Sequence, residues 1–179
     1  MDAIGRLADA ANHHPDVDLR YEGVTVRLRT HDIGGLSERD VTLARQISAA
    51  ARELDVPADP TAVQVVNVAF DALVGPEVQP FWRALFGYRE RYRENGPEYL
   101  VDPYGRGPSF WFQQMDAPRP QRNRIHVDIS VPHDQAEARI AAAISAGGHL
   151  ATDRYAPAWW VLADAEGNEA CVATWIGRD

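Results

Sequence analysis

The first quarter of the chain changes from a helical spacing of apolar residues to an alternating one. Ile4, Leu7 and Ala11 recur at the interval of one helix face, so the pattern predicts a helix over residues 2–12. Pro15 disfavours helical backbone at the residue before it. We therefore expect this helix to end near a pair of adjacent histidines.

A β-hairpin is predicted directly after this helix. Apolar side chains alternate with polar ones over residues 17–21 and again over residues 24–28. Glu22-Gly23 lies between the two runs and is typical of a tight turn. The two runs therefore indicate a pair of antiparallel strands.

A second helix is expected after the glycine pair at residues 34–35. Ser37 is a suitable N-cap residue, and Asp40 three residues later can complete a capping box. An amphipathic face then runs from Val41 to Leu54. This completes a helix–hairpin–helix segment.

A proline-punctuated linker at residues 57–62 separates two predicted domains, residues 1–56 and 63–179. The second domain contains a weak repeat, because the strand-like stretch VNVAFDA at 66–72 matches IHVDISV at 125–131. A helix candidate, glycine and further strand-like stretches follow each copy. We expect a duplicated βαβββ unit, and for the whole chain an α+β fold.

Composition limits the partners. The net charge is −8, which argues against nucleic-acid binding because a duplex-binding surface needs clustered cations. No apolar run reaches the roughly 20 residues that cross a bilayer, and no secretory signal opens the chain, so we expect a cytoplasmic protein without a membrane partner. A core of about 60 residues is marginal, so the first domain must lean on the second domain, on a second copy of the chain, or on both. We therefore expect a homo-oligomer, most simply a dimer.

Three histidines carry the candidate chemistry of the first domain. His13 and His14 leave the end of a helix, and His31 leaves the end of a strand that could return beside them. Histidine suits proton transfer because its pKa lies near neutral pH, and a helix C-terminus favours the protonated ring. Two alternatives stay open. The pair could be a solvated turn, or, less readily, a metal site, although adjacent histidines rarely share one ion.

The spacing of these histidines resembles the pterin-4a-carbinolamine dehydratase family. The matching residues are Asp9, His13-His14-Pro15, Tyr21, His31 and Asp40, with THDIGGLSERD across residues 30–40. The resemblance implies an enzyme without a cofactor that removes water from a 4a-hydroxytetrahydropterin. It implies catalytic roles for His13, His14 and His31, of which the first and last are the proton-transfer candidates. It implies that Asp9, Pro15 and Asp40 contact or support the pterin-like ligand.

The same resemblance implies a further helix, two strands and the start of another helix ahead of the histidine pair. We therefore expect a shortened dehydratase scaffold, either native or caused by a misassigned start. The missing strands would leave an open sheet edge that invites pairing with a second copy.

The second domain resembles the glyoxalase/bleomycin-resistance group, which has the vicinal oxygen chelate fold. The stretches that carry the resemblance are FWRALFGY at 81–88, PRPQRNRIHVDISV at 118–131 and DAEGNEACV at 164–172. Metal-dependent members hold a divalent ion at four positions. Matching strand to strand puts these positions on Asn67, Gln113, His126 and Cys171. Only His126 is a typical ligand, so we expect no catalytic metal.

A second pocket for a small molecule is a further possibility in this domain. Its candidate residues are Trp111, Gln113, Arg124, His126 and Cys171. The tryptophan suits the core equally well, the arginine suits a solvated loop, and the histidine suits a satisfied core position. Three functions stay open: a pterin dehydratase fused to a glyoxalase-like domain, a non-catalytic binding or dimerisation protein with a metal-free pocket, and a metal-independent enzyme in the second domain.

Overall fold

The computed structural model describes residues 1–93, 96–118 and 125–177. The chain divides into two compact units, Met1–Gln64 and Val65–Asp179. The division between Gln64 and Val65 lies just after the predicted linker at residues 57–62. Within the described residues, no helix is long and apolar enough to span a membrane.

The first unit has the predicted helix–hairpin–helix order. Its elements are α1 (Asp2–Ala11), β1 (Asp16–Arg20), β2 (Gly23–Arg27) and α2 (Glu38–Glu53). The capping box that Ser37 and Asp40 predict is present at the start of α2. Its two hydrogen bonds satisfy backbone N–H groups that have no partner within the helix.

The hairpin turn lies one residue earlier than the sequence predicts. Arg20 pairs with Gly23, so the turn is Tyr21-Glu22, and the glycine opens β2 instead of forming part of the turn. The register places Leu19 opposite Val24, and both side chains are exposed. The apolar face of this two-stranded sheet is therefore uncovered at the end nearest the turn, whereas the Val17–Val26 pair on the same face is half-buried.

The buried face of α2 also differs from the predicted one. Leu43 is fully buried, whereas Val41 and Leu54, which the periodicity assigns to the inward face, are exposed. The difference arises because Asp40 is itself buried, and helix residues three and four apart lie on one face. The capping residue therefore sets which side of α2 turns inward.

The second unit contains eight strands and two α-helices in its described residues. They are β3 (Asn67–Ala72), α3 (Gly75–Phe86), β4 (Arg89–Arg93), β5 (Gly96–Val101), β6 (Ser109–Gln114), β7 (Val127–Ser130), α4 (Ala136–Ser145), β8 (His149–Thr152), β9 (Trp159–Ala163) and β10 (Glu169–Ala173).

These strands form two four-stranded sheets with the same topology. The strand orders are β3-β6-β5-β4 and β7-β10-β9-β8. In each sheet the first and last strands pair in parallel, and the last strand pairs antiparallel with the one before it. The predicted duplicated βαβββ unit is confirmed.

Stacked aromatic rings of β3, α3 and β6 form part of the core of the second unit. Phe70 of β3 stacks on Trp82 of α3 with ring centroids 4.3 Å apart, and on Phe110 of β6 at 5.2 Å. The buried cluster draws on both halves of the repeat: Ala72, Val78, Phe81, Trp82, Leu85, Leu100, Phe110, Val131, Ala136, Ala143, Leu162, Ala170 and Val172. The two sheets therefore share one core.

A buried aspartate joins the two halves of this unit. The Asp164 carboxylate, in the turn between β9 and β10, accepts a hydrogen bond from Trp82 Nε1 at 2.9 Å. It also accepts from the side-chain and backbone N–H groups of Asn168. Nearby, the Glu166 carboxylate accepts from two backbone N–H groups just before α3. The Asp164 carboxylate thereby satisfies the buried N–H of Trp82, which would otherwise lack a partner.

We expect Asp164→Asn to lower the stability of the second unit by about 1–3 kcal/mol, because the new amide would point N–H groups at donors in a buried site. Urea unfolding followed by tryptophan fluorescence measures this, since all five tryptophans lie in this unit. Asp153→Asn, at an exposed position, is the matched control. Equal unfolding midpoints for the two variants would contradict the prediction.

Candidate functional site

The buried carboxylate of Asp40 connects three segments of the first unit. Its Oδ1 lies 2.8 Å from Nε2 of His13, at the end of α1. Its Oδ2 accepts hydrogen bonds from Oγ1 of Thr30 at 2.6 Å and from the backbone N–H of Ser37 at 2.7 Å. We call these four residues the Asp40 network. It fastens the end of α1 to the loop after β2 and to the start of α2.

The hydrogen bonds of the network outweigh the cost of burying a charge. Burial acts to raise the pKa of Asp40, but the bonds from Thr30, Ser37 and His13 favour the carboxylate and lower the pKa from 3.8 to about 2. Asp40 is therefore ionised at neutral pH, although only 3% of its surface is exposed.

Local backbone geometry turns the two adjacent histidines in different directions. Asn12 adopts the left-handed conformation with φ of 45°, and the N–H of His13 bonds to the carbonyl of Ala8 at 3.0 Å. The His13 ring then lies inside the unit with 6% exposure. The His14 side chain is 62% exposed, and its Nε2 lies 3.0 Å from Oδ1 of Asp9.

His31 is the second exposed imidazole of the first unit. It follows Thr30, which is fully buried and whose backbone pairs with Gly35 across the loop. The Asp40 network thus holds the residue directly before each exposed histidine, namely His13 before His14 and Thr30 before His31. Pro15, the remaining predicted contact, is half-buried.

Sequence reasoning found most of these residues but missed Thr30. The capping box identified Asp40 as the partner of Ser37, yet nothing in the spacing indicates that the same carboxylate reaches His13, 27 residues earlier. A threonine after a strand carries no signal of its own. Its role depends on where α2 begins in space.

In the second unit, three ligand-type side chains meet at the edge of one sheet. Nε2 of His126 lies 3.0 Å from Sγ of Cys171 and 3.7 Å from Oδ1 of Asp128. One ligand atom from each residue lies within 4.8 Å of the other two. Cys171 is buried, whereas the histidine and the aspartate are exposed. Asp128 was not among the predicted site residues.

The strand register corrects the predicted position of Gln113. Ala69 corresponds to Asp128 in the repeat, and it lies opposite Trp111 just as Asp128 lies opposite Cys171. Trp111, not Gln113, therefore occupies the position that corresponds to the cysteine.

The four positions that the family resemblance implies for a metal are consequently not assembled here. Gln113 lies opposite Asp71, and Asn67 lies opposite Ser109. These two pairs are four residues apart along β3, about 13 Å at the rise of about 3.3 Å per residue in a strand. The two amides cannot reach one ion, and only His126 and Cys171 come together.

Gln113 instead lines a separate cavity of about 360 Å³ at the end of β6. The other lining residues are Asp71, Gln114, Met115, Asp116, Ala117 and Pro118, and neither His126 nor Cys171 belongs to this set. The residues of the predicted second pocket therefore do not lie together around this cavity. Arg124, the remaining predicted member, lies outside the described residues.

Comparison with known proteins identifies the second unit. Residues 67–173, more than half of the chain, match the family described as a glyoxalase-like domain. The chain belongs to this family. The glyoxalase-like domain covers the whole duplicated unit from β3 to β10.

Residues 1–50 match the pterin 4 alpha carbinolamine dehydratase family. A protein of Nocardia farcinica (strain IFM 10152), provisionally named pterin-4-alpha-carbinolamine dehydratase, is 50% identical over 52 residues, which are 29% of this chain and 55% of that protein. A relative of the same name from Roseiflexus sp. (strain RS-1) is 58% identical over 44 residues, 25% of this chain and 47% of that one. The chain thus spans about half the length of these curated relatives.

Solved structures similar to the chain cover the glyoxalase-like domain. A glyoxalase/bleomycin resistance protein/dioxygenase family enzyme from Burkholderia phytofirmans PsJN is 17% identical and covers 63% of this chain and 98% of its own, with a TM-score of 0.49. The fosfomycin resistance protein FosX from Mesorhizobium loti is 10% identical, with 62% and 90% coverage and a TM-score of 0.49. Membership of the family follows from the match over residues 67–173. Both resemblances predicted from the sequence are confirmed.

The lowered pKa of Asp40 predicts an acid-dependent loss of stability in the first unit. Its pKa is about 2 in the folded chain against an ordinary 3.8, so the stabilisation is complete above about pH 3.8 and is lost as the pH falls through about 2. Hydrogen exchange of the α2 amides, corrected for intrinsic rates, should show protection falling across this window.

Asp40→Asn should weaken α2 protection at neutral pH and remove its dependence on pH in this window. Asp16→Asn, at an exposed hairpin position, is the matched control and should behave like the wild type. An acid transition that persists unchanged in Asp40→Asn would show that another group causes it.

Proposed function

We propose that the first unit dehydrates a pterin 4a-carbinolamine to the quinonoid dihydropterin by histidine acid–base catalysis, as the family of residues 1–50 suggests. The observation that carries this proposal is the Asp40 network. It fixes the segments that present His14 and His31 and leaves both imidazoles exposed.

The reaction needs one acid and one base. As the bond between C4a and the hydroxyl oxygen breaks, an imidazolium protonates the departing hydroxyl, which leaves as water. The lone pair of the adjacent ring nitrogen forms the new C=N bond, and a base takes the proton from that nitrogen. Two accessible histidines supply both groups, and neither a metal nor a cofactor is needed.

His14 and His31 are best placed for these steps. The carboxylate of Asp9, 3.0 Å from Nε2 of His14, can orient the ring. Because the His14 side chain is exposed, the pair of Asp9 and His14 is accessible to a substrate of the pterin class. Pro15 continues the same turn and can shape the site.

Burial of His13 favours a positioning role over proton transfer. Its Nε2 already contacts the Asp40 carboxylate, and the ring has almost no exposed surface. Asp40 likewise uses both oxygens within the network. We therefore assign these two residues to holding the site, although the family resemblance suggests proton transfer by His13 and pterin contact by Asp40.

We expect His14→Ala and His31→Ala each to slow carbinolamine dehydration by about 100-fold or more, the usual contribution of general acid–base groups. Stopped-flow absorbance of the full chain, against the spontaneous rate, measures this. His149→Ala, an exposed histidine at the start of β8, is the matched control and should keep the full rate. A wild-type rate equal to the spontaneous one would overturn the proposed catalysis.

A non-catalytic binding or dimerisation protein is the second candidate function. It is favoured by the uncovered apolar face of the hairpin, where the cross-strand pair Leu19 and Val24 is exposed. A two-stranded sheet is at best marginally stable in water by itself. We propose that a second copy of the chain covers this face, which makes the protein a homodimer.

Sedimentation at micromolar concentration should therefore show a dimer. Leu19→Arg should shift the protein to the monomer, because a charge in the apolar contact would lose its hydration. Thr25→Arg, on the opposite face of the same hairpin, is the matched control and should leave the dimer intact. A monomeric wild type, or dimers in both variants, would contradict this interface.

A further inference from the structure

We propose that the glyoxalase-like domain binds one divalent ion of the zinc class through His126, Asp128 and Cys171. We call these three residues the β7–β10 triad. All three lie in the second half of the repeat. The proposal is independent of the dehydratase function of the first unit.

The backbone brings the triad together through parallel strand pairing. Asp128 of β7 lies opposite Cys171 of β10. His126 precedes β7 by one residue and lies two positions before Asp128, so both project from the same face of the sheet. Val127 and Val172 pack into the core on the other face. The core therefore holds the backbone that carries the triad in a fixed register.

The distances within the triad suit a metal site. Bond lengths of about 2.3 Å to sulfur and about 2.0 Å to nitrogen place two tetrahedral zinc ligands about 3.5 Å apart. Nε2 of His126 lies 3.0 Å from Sγ of Cys171 and 3.7 Å from Oδ1 of Asp128. Small side-chain rotations would bring all three atoms to bonding distance of one ion.

The donor types decide which ions fit. Thiolate and imidazole favour zinc and cobalt over magnesium and calcium, which prefer oxygen ligands. The thiolate and the carboxylate together supply two negative charges, which balance a divalent cation. Three protein ligands leave one tetrahedral position open, as in catalytic rather than structural zinc sites.

Asp128 is not among the four positions that the family resemblance implies for a metal. Those four are divided between the two halves, and two of them, Asn67 and Gln113, are weak neutral donors. The strand register separates those two amides by about 13 Å along β3. The same register supplies a carboxylate beside His126 and Cys171, so the second half alone provides three good ligands.

Cobalt titration of the full chain tests the triad. We expect one equivalent of Co²⁺ to give visible d–d bands and a near-ultraviolet thiolate-to-cobalt charge-transfer band, and one equivalent of Zn²⁺ to displace them. Cys171→Ser should abolish the charge-transfer band. His126→Ala and Asp128→Asn should each weaken cobalt binding by at least about 10-fold, as expected for a lost ligand.

His149→Ala, at an exposed position in the same domain, is the matched control and should bind cobalt like the wild type. Circular dichroism of each variant establishes whether it is folded. If Cys171→Ser does not fold, Asp128→Asn still tests the site, because it changes an exposed side chain. A folded wild type that gives no charge-transfer band would overturn the proposal. Binding that is unchanged in His126→Ala, or lost in His14→Ala, would also overturn it by placing the ion elsewhere.

Discussion

One buried carboxylate organises the first unit. Asp40 is ionised and almost without solvent, so its charge has to be balanced by hydrogen-bond donors at fixed positions. Those donors come from the end of α1, the loop after β2 and the first turn of α2. A misplacement of any of these segments would leave a buried charge underpaired, which costs far more than the loss of one exposed contact. The need to pair this buried charge with donors therefore fixes the positions of the segments that carry His14 and His31.

The second unit shows how one topology can carry two different surfaces. Both halves have the order βαβββ and share a core, which Trp82 and Asp164 link by a buried hydrogen bond. Away from the core the halves differ at matching positions. Where the first half has Ala69 opposite Trp111, the second has Asp128 opposite Cys171. Packing constrains the inward positions in both copies, whereas the other face is free to acquire separate chemistry.

Much of the fold was readable from the sequence because it depends on local periodicity. The helix–hairpin–helix order, the capping box of α2 and the duplicated unit all follow from spacings within a few residues or from direct repetition. The errors have a different origin. The contact between His13 and Asp40, the neighbours of Gln113 and the part played by Asp128 all depend on how distant segments are brought together. A strand shifted by two residues would keep the same inward face but change every partner.

The pairing of first with last strands in each half has a consequence for folding. β7 occupies the edge of its described sheet and hydrogen-bonds there to β10, the last described strand of the same half. During synthesis, β7 would emerge before α4, β8 and β9, and it would wait with its apolar face unpaired until β10 had been made. Such non-local closure slows folding, because loop entropy is lost before the contacts form. The hairpin of the first unit, by contrast, closes across two residues. The two units therefore differ in how much of the chain must be made before their strands can pair.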